Sequence, residues 1–141
     1  MLGREATRWI SLLSLFTFMT TCVSCSQSSG RYPVRGEVTF KGDAVDKGSI
    51  VFVPLVQNAI KTGGPIVEGR YEVPAAKGSV AGKHRVLLFW EKKTGKTYVD
   101  SDTGEVFDRR TEGLPATYQS ENSPLEVEIA NGDNVHDFHL K

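Results

Sequence analysis

The chain has 141 residues, the length of one domain, and an ordinary globular composition of 39% hydrophobic and 24% charged residues. Lysine plus arginine and aspartate plus glutamate each number 17, so the formal net charge is zero. This balance argues against a nucleic-acid surface, which would show a basic stripe, and we predict no nucleic-acid partner.

The first 24 residues have the pattern of an export signal. Two arginines precede an apolar run over residues 9–21, and the small residues Val23 and Ser24 follow it. A basic start, an apolar core of about 7–15 residues and a small-residue cleavage site describe a secretory signal peptide. The run is too short for a transmembrane helix, which needs about 20 apolar residues. We therefore predict a cleaved signal helix over residues 1–24.

Both cysteines, Cys22 and Cys25, stand at the end of this run. Val23-Ser24-Cys25 resembles the end of a bacterial lipobox, in which small residues precede a cysteine that is lipidated and becomes the first mature residue. Cys22 stands where the lipobox usually has leucine, and it could itself be the acylated residue. A redox C-x-x-C should open a helix in a βαβ pattern, and a zinc site needs about four ligands. Neither context follows, so we predict lipidation at Cys25, with plain secretion, redox use and metal binding as alternatives.

The prediction for Cys25 fixes where the protein resides. Residues 25–31 would form a lipidated cysteine and a flexible, serine-rich tether. The mature chain would be near neutral, so anionic lipid would not hold it by charge, and the acyl chains on Cys25 would be the membrane anchor. The sequence thus predicts an exported, membrane-anchored lipoprotein that faces the periplasm or the cell exterior.

From residue 32 onward, apolar residues alternate with a period of two, the pattern of half-buried strands. Loops are predicted over residues 57–64 and 74–82, and Asn131-Gly132 predicts a hairpin turn. A helical period is absent from the sequence beyond the tether, so residues 32–141 predict an antiparallel β-sandwich of about seven strands. The predicted strands cover residues 34–40, 48–54, 65–67, 70–73, 83–91, 125–129 and 135–140.

The segment 92–113 interrupts this pattern directly after the strongest strand. It is polar and rich in turns, and it predicts an inserted hairpin or a long mobile loop. Loops on a rigid scaffold carry function more often than the scaffold does. We therefore place any specific recognition in this insertion.

Several short motifs resemble one known family. Val34-Arg-Gly-Glu-Val-Thr-Phe-Lys-Gly42 followed by Gly48-Ser-Ile-Val-Phe-Val-Pro54 resembles the opening of carboxypeptidase regulatory-like domains, and Glu68-Gly-Arg-Tyr71 is similar to their D-G-x-Y hairpin. Gly78–Val86 is similar to their G-x-x-P-G-x-Y-x-V segment. The end of the chain is similar to small exported lipoproteins of planctomycete-type bacteria. The resemblance implies a transthyretin-like (prealbumin-like) sandwich that acts as an accessory, structural or adhesive module without catalysis.

Side chains that could carry chemistry are few. We predict surface or rim positions for the three histidines, His84, His136 and His139. We also predict no catalytic residue, no cofactor and no metal site. Asp100, Asp102 and Asp108 could converge as calcium ligands, although a β-turn explains Asp-Thr-Gly as well. An aromatic platform for sugars could form from Trp90, Tyr98 and Phe107, although core packing suits Trp90 better.

Two classes of function remain. The first is a non-catalytic envelope lipoprotein with a structural or protein-interaction role, whose partner would be an envelope protein or a glycan. The second is a ligand-binding module for carbohydrate or calcium that uses the 92–113 insertion, with Trp90, Tyr98, Asp100, Asp102 and Asp108 as the candidate ligand-binding residues. Titration with calcium or glycans would separate the two classes.

Overall fold

The computed structural model describes residues 30–141, so the predicted signal peptide, Cys25 and most of the tether lie outside the described residues. The described chain is all-β, as predicted, with two single-turn 3₁₀ helices at Ala75–Lys77 and Ala116–Tyr118. Its strands are β1 Arg31–Tyr32, β2 Val34–Phe40, β3 Asp43–Ala44, β4 Lys47–Pro54, β5 Thr62–Val67, β6 Arg70–Val73, β7 Ser79–Val80, β8 Gly82–Val99, β9 Val106–Glu112, β10 Glu126–Ile129, β11 Asn134–Val135 and β12 Phe138–Leu140.

Most strands join one sheet in the order β10-β8-β4-β5-β6-β2-β11. The pairings from β10 through β2 are antiparallel, whereas β11 and β12 run parallel to β2. Strand β9 pairs only with β8, β3 pairs with β2, and β1 forms a separate two-stranded sheet with β7.

The sheet curls until its two ends face each other across a core. Strands β2 and β8 are four places apart in the sheet order, which in a flat sheet would separate them by about 19 Å. Yet the ring centroids of Phe40 in β2 and Trp90 in β8 are only 6.3 Å apart. Phe52 and Tyr71 also approach to 6.0 Å from strands on either side of β5. This face-to-face packing is the layered arrangement of a β-sandwich.

The core follows from the alternation that the sequence predicted. In β8, Val86, Leu88 and Trp90 point inward, and in β12 Phe138 and Leu140 do so. Among the described residues, every member of the main buried cluster lies between residues 34 and 140. The list of fully covered core side chains also includes Val34, Val38, Val45, Ile50, Phe52, Ile66, Val73 and Ile129.

The turn between β5 and β6 shows why its sequence is Glu-Gly. Glu68 and Gly69 both have positive φ angles, of 50° and 79°, which is the backbone of a tight type I′ hairpin. A side chain at Gly69 would also meet Ala44, because the turn packs closely on β3. The hairpin predicted over residues 65–73 is thereby confirmed.

Four local predictions were wrong. The loop predicted over residues 57–64 ends early, because Thr62–Gly64 already pair with β4. Asn131-Gly132 does not close a hairpin: β10 pairs with β8, whereas β11 crosses to β2. The final strand predicted over 135–140 is broken in two at His136 and Asp137. His84 is not at a rim but buried, with 1% of its surface exposed.

The domain has two opposite poles, defined by the ends of β8. At the near pole, Gly82 starts β8 beside Ile129, and Arg31 pairs with Val80 just before it. At the far pole, Trp90 pairs with Gly48, and β8 continues for nine more residues beyond it. The tether therefore enters at one pole, and the 92–113 insertion leaves from the other.

Within residues 30–141, none of the helices is long and apolar enough to span a membrane.

Candidate functional site: the arm at the far pole

The 92–113 insertion is an ordered hairpin, here called the arm. It consists of the outer part of β8 (residues 92–99), a turn over residues 100–105 and β9 (Val106–Glu112). The pairing runs antiparallel from Glu91–Glu112 to Val99–Val106, with a bulge between Lys93 and Thr97. Nearly every residue of the arm is exposed. The arm is thus a two-stranded ribbon that projects from the sandwich, and the alternative of a mobile loop does not apply.

The root of the arm is fixed in the core through Trp90. The ring of Trp90 is buried, with 3% of its surface exposed, and Nε1 donates a hydrogen bond of 2.7 Å to Asp46 Oδ1. Arg110 Nη1 lies 3.2 Å from Asp46 Oδ2 and also donates to the carbonyl of Glu91. Asp46 therefore joins the core tryptophan to the second strand of the arm.

Glu112 and Gly113 close the root from the other side. Glu112 Oε1 accepts hydrogen bonds from the backbone N–H groups of Trp90, Gly113 and Leu114 at 3.1–3.3 Å. Gly113 lies flat on the tryptophan ring, where a Cβ would come within 2.6 Å of Cε3, and its N–H donates to the Trp90 carbonyl. The arm is consequently rigid where it leaves the sandwich.

The predicted aromatic platform is only partly assembled. Tyr98 and Phe107 face each other across the two strands with ring centroids 5.8 Å apart, and they remain 45% and 41% exposed. Trp90 does not join them, because its ring belongs to the core and is further covered by Lys92, whose Nζ lies 4.8 Å from the ring centroid. An exposed aromatic pair therefore replaces the three-ring surface.

A groove of about 670 Å³ runs between this aromatic pair and the body of the domain. Besides the two rings, it is lined by Lys47, Glu91, Asp108, Arg109 and Arg110. Lys47 and Glu91 form an ion pair of 2.8 Å within it. The groove offers an apolar surface bordered by both signs of charge, a lining suited to a polar ligand with one flat apolar face.

The acidic residues of the arm do not converge on a cation. Asp100 Oδ1 accepts hydrogen bonds from Thr103 N–H at 2.9 Å and Asp102 N–H at 3.0 Å, and these backbone donors lower the pKa of Asp100. Asp108 instead pairs with Lys93 at 2.8 Å, and this contact lowers the pKa of Asp108. A group of three or more possible metal-ligating side chains does not occur in the part of the chain that the structure describes.

The histidines are dispersed over the domain. His84 is buried near the near pole, and its Nδ1 lies 2.9 Å from the Gly82 carbonyl oxygen. His139 is exposed and contacts Thr39 Oγ1 at 3.0 Å. His136 lies between β11 and β12, where its carbonyl accepts a hydrogen bond of 2.7 Å from Tyr71 Oη. The three imidazoles have different neighbours and do not form a common site.

A second groove lies on the outer face of β5, β6, β2 and β11. It has a volume of about 750 Å³ and is bordered by the exposed valines Val67 and Val135 and by the ion pair between Arg70 and Glu37. The tight contact of Gly36 with the His136 carbonyl brings β2 close to the chain that joins β11 to β12. The surface is open, and none of the candidate ligand-binding residues from the sequence analysis lies in it.

Sequence reasoning found Tyr98, Trp90 and Asp108 but missed Asp46 and Lys47, which complete the root and the groove. Asp46 is 44 residues from Trp90 in sequence, and only the antiparallel pairing of β4 with β8 brings them together. The one local signal was the position of Asp46 two residues before a predicted strand. That signal is common to many turn residues.

No protein-family model matches the chain, and neither a curated protein nor a solved structure matches it.

The Asp46 junction gives a prediction for pH dependence. The hydrogen bond from Trp90, together with Arg110, lowers the pKa of Asp46. A lowered folded-state pKa adds stability that is present above the unfolded pKa of about 4 and is lost as the pH falls through the folded value. We expect Asp46→Asn to lower the free energy of unfolding by about 0.5–1 kcal/mol at pH 7, because the carboxylate is partly exposed.

The measurement is urea denaturation of both proteins from pH 7 to pH 2.5. The difference between wild type and Asp46→Asn should shrink below about pH 4, because wild-type Asp46 then loses its charge as well. Asp43→Asn, at an exposed residue of β3 three positions before Asp46, serves as the matched control and should change little. A constant difference across the whole pH range would contradict the role given to the Asp46 carboxylate.

Proposed function

We propose that the protein is a non-catalytic cell-envelope lipoprotein with a structural or protein-interaction role, anchored by acyl chains on Cys25. The sandwich would be a carboxypeptidase regulatory-like domain, as the motifs from residue 32 onward suggest. The domain would act as a rigid stalk, and the arm would be its recognition element.

The single observation that carries this proposal is the placement of the two poles. The described chain begins beside the start of β8, and the arm forms the end of the same strand. Eighteen residues in β conformation span on the order of 60 Å. A protein anchored through Cys25 would therefore hold the arm far from its own membrane. An interaction module needs such a placement, whereas an enzyme acting on a diffusible substrate does not.

The composition of the exposed surface supports a binding role over catalysis. Among the described residues, four of the five charged side chains that line the groove are held in ion pairs, such as Lys47 with Glu91 and Asp108 with Lys93, and Arg109 is the exception. A general base or nucleophile needs a partner that activates it and space for a reacting atom. The arm presents instead an exposed aromatic pair beside ion pairs, which suits recognition.

The second candidate function is carbohydrate binding in the groove. The observation that favours it is the exposed pair Tyr98 and Phe107, because sugar rings stack on aromatic faces while their hydroxyl groups bond to charged neighbours such as Asp108 and Arg109. Calcium binding by the arm has less support than carbohydrate binding, because Asp100 accepts hydrogen bonds from its own turn and Asp108 pairs with Lys93. Calorimetric titration with neutral and acidic oligosaccharides and with Ca²⁺ separates these possibilities from a protein partner.

Replacing Cys25 with serine tests the anchor. We expect Cys25→Ser to move the protein almost completely from the membrane fraction to the soluble fraction, because two or three acyl chains anchor stably whereas a serine accepts none. Fractionation and immunoblotting of cells that express each variant measure this distribution.

The matched control is Cys22→Ser, which should stay in the membrane fraction because Cys22 would leave with the signal peptide. If Cys25→Ser remains membrane-bound and Cys22→Ser is released, the lipidation site is Cys22. If both variants remain membrane-bound, the anchor is not an acyl chain, and the proposed attachment is wrong.

A further inference from the structure

The charges of the arm are separated along its length. The tip, residues 100–105, contains three acidic side chains and no basic one, for a formal charge of −3. The shaft, residues 92–99 and 106–111, contains five basic side chains and one acidic one, for a formal charge of +4. The arm therefore has a negatively charged tip and a positively charged shaft.

Part of this charge is already compensated inside the molecule. Arg110 is paired with Asp46, and Lys93 is paired with Asp108. Among the described residues, the shaft cations that form no ion pair are Lys92, Lys96 and Arg109. At the tip, Asp100, Asp102 and Glu105 likewise form none, although Asp100 accepts hydrogen bonds from the backbone of its own turn. About three uncompensated positive charges thus lie behind three uncompensated negative ones.

Between the two charged parts lies an exposed apolar band. Val99 and Val106, a cross-strand pair, are each 64% exposed on one face of the ribbon, and the neighbouring pair of Tyr98 and Phe107 is exposed on the opposite face. An isolated two-stranded hairpin is at best marginally stable in water, and monomeric domains rarely expose a contiguous apolar band without a use for it. A partner that covers this band would also support the ribbon.

We propose that the arm binds the arm of a second copy of this chain, side by side and antiparallel. In a twofold arrangement each surface contacts its counterpart, so the negative tip of one arm lies against the positive shaft of the other, and this contact occurs twice. With the overlap centred on the last pairs of the ladder, the two Val99–Val106 pairs lie at its middle and cover each other. This inference rests on the proposed function and identifies its protein partner as a second copy of the same chain.

Charge also excludes the other orientation. Two parallel arms would set tip against tip and shaft against shaft, and like charges opposed at an interface cost several kcal/mol. Simple extension of the sheet, edge to edge, is disfavoured by the lysines along β8, since charged residues on an edge strand oppose pairing. The antiparallel contact through the faces of the two ribbons is the arrangement that both observations allow.

The contact is expected to be weak for a single pair. The tip extends about three residues beyond Val99, so an overlap centred on the valines covers about six residues, or near 20 Å, and a ribbon about 10 Å wide then covers about 200 Å² per partner. Stable interfaces bury about 1,200–2,000 Å² in total, so one pair should dissociate readily. Many copies between two facing surfaces would act together and raise the overall strength.

The antiparallel orientation has a consequence for anchored molecules. Because the tether and the arm lie at opposite poles, antiparallel pairing of two arms directs the two anchors away from each other. The pair would span on the order of 100 Å between anchoring surfaces, given two strands of about 60 Å that overlap by about 20 Å. The protein would then join two facing membranes, and this part of the inference depends on the proposed anchor.

The experiment uses the full chain, incorporated into neutral phosphatidylcholine vesicles, with clustering followed by dynamic light scattering. Two variants reverse the charges: Asp102→Lys with Glu105→Lys at the tip, and Lys96→Glu with Arg109→Glu on the shaft. We expect wild-type vesicles to cluster, and each variant alone to cluster at least about tenfold more slowly, because steering charges change association rates by 10- to 1,000-fold. Mixing vesicles of the two variants should restore clustering, because each reversed surface then meets an opposite or neutral one.

Further measurements distinguish failure of the proposed anchor from failure of arm pairing. Flotation reports whether each protein is bound to the vesicles, and circular dichroism reports whether each variant is folded. If the chain does not bind vesicles, the anchor proposal fails, and sedimentation equilibrium of wild type, each variant and their mixture tests arm pairing in solution with the same expected order. Wild-type vesicles that carry the protein and stay dispersed would overturn the proposal, and so would variants that associate as wild type does or a mixture that shows no recovery.

Discussion

Replacing Leu88 with alanine should lower the free energy of unfolding by about 2–5 kcal/mol, the usual cost of a large cavity in a packed core. Leu88 lies in the middle of β8, has no exposed surface and pairs with Ile50 across the central strands. The cavity would open in the core beneath β8, where pairing with β4 leaves the backbone little freedom to collapse into it. Urea denaturation followed by tryptophan fluorescence measures the change.

Leu55→Ala is the matched control, since the same atoms are removed from a side chain that is 44% exposed. It should change the free energy of unfolding by less than about 0.5 kcal/mol. Similar losses for the two variants would mean that β8 is not the centre of the core. The fold described above would then be wrong in its most buried strand.

The sequence predicted the parts of the fold that depend on local pattern. The alternation of Val86, Leu88 and Trp90 with Leu87 and Phe89 gave both the strand and its inward face, because a residue's side of a strand depends only on its parity. The Glu68-Gly69 turn was readable for the same reason, since positive φ angles select glycine locally. These features need no knowledge of distant residues.

The parts that failed depend on partners far away in the chain. Thr62–Gly64 look like a loop because two glycines carry no side chains, yet β4 supplies their hydrogen bonds, and Gly63 lies too close to the Ile50 carbonyl for any Cβ. Asn131-Gly132 has the signature of a hairpin, but β11 crosses to pair with β2. Where the two flanking strands go is decided by the whole sheet and not by the turn.

The candidate site likewise has features that the local sequence predicts and features that depend on distant residues. The insertion at 92–113 was evident from its composition, and the aromatic pair in it was among the candidates. The sequence did not predict that Trp90 lies apart from that pair. Its position depends on the acceptor Asp46, far away in the sequence, and on Gly113 lying over the ring. A strand that begins in the core and ends in solvent gives its residues different roles, although their spacing is continuous. Under the proposed function, only the residues of the arm beyond Trp90 would take part in recognition.

A buried asparagine holds the near pole together. Asn134 is 6% exposed, and its Oδ1 accepts a hydrogen bond of 2.8 Å from Ala130 N–H. Its Nδ2 lies within 3.2 Å of the carbonyl oxygens of Pro33, Ala130 and Gly132. One side chain thus closes the crossover from β10 to β11 and ties it to the chain that enters from the tether. The side-chain amide supplies two donor hydrogens on Nδ2 and an acceptor on Oδ1 at the same time.

Asn134→Ala should therefore lower the free energy of unfolding by about 1–3 kcal/mol, because it leaves backbone groups of the crossover without partners in a poorly hydrated place. Asn134→Asp should be at least as damaging, since it keeps the shape and the acceptor but directs a second oxygen at three carbonyl oxygens. Asn131→Ala, in the exposed part of the same loop, should stay within about 0.5 kcal/mol of wild type. Urea denaturation gives all three values, and hydrogen exchange at Ala130 locates the change. An Asn134→Asp protein as stable as wild type would show that the donors of this amide contribute nothing and that shape alone holds the crossover.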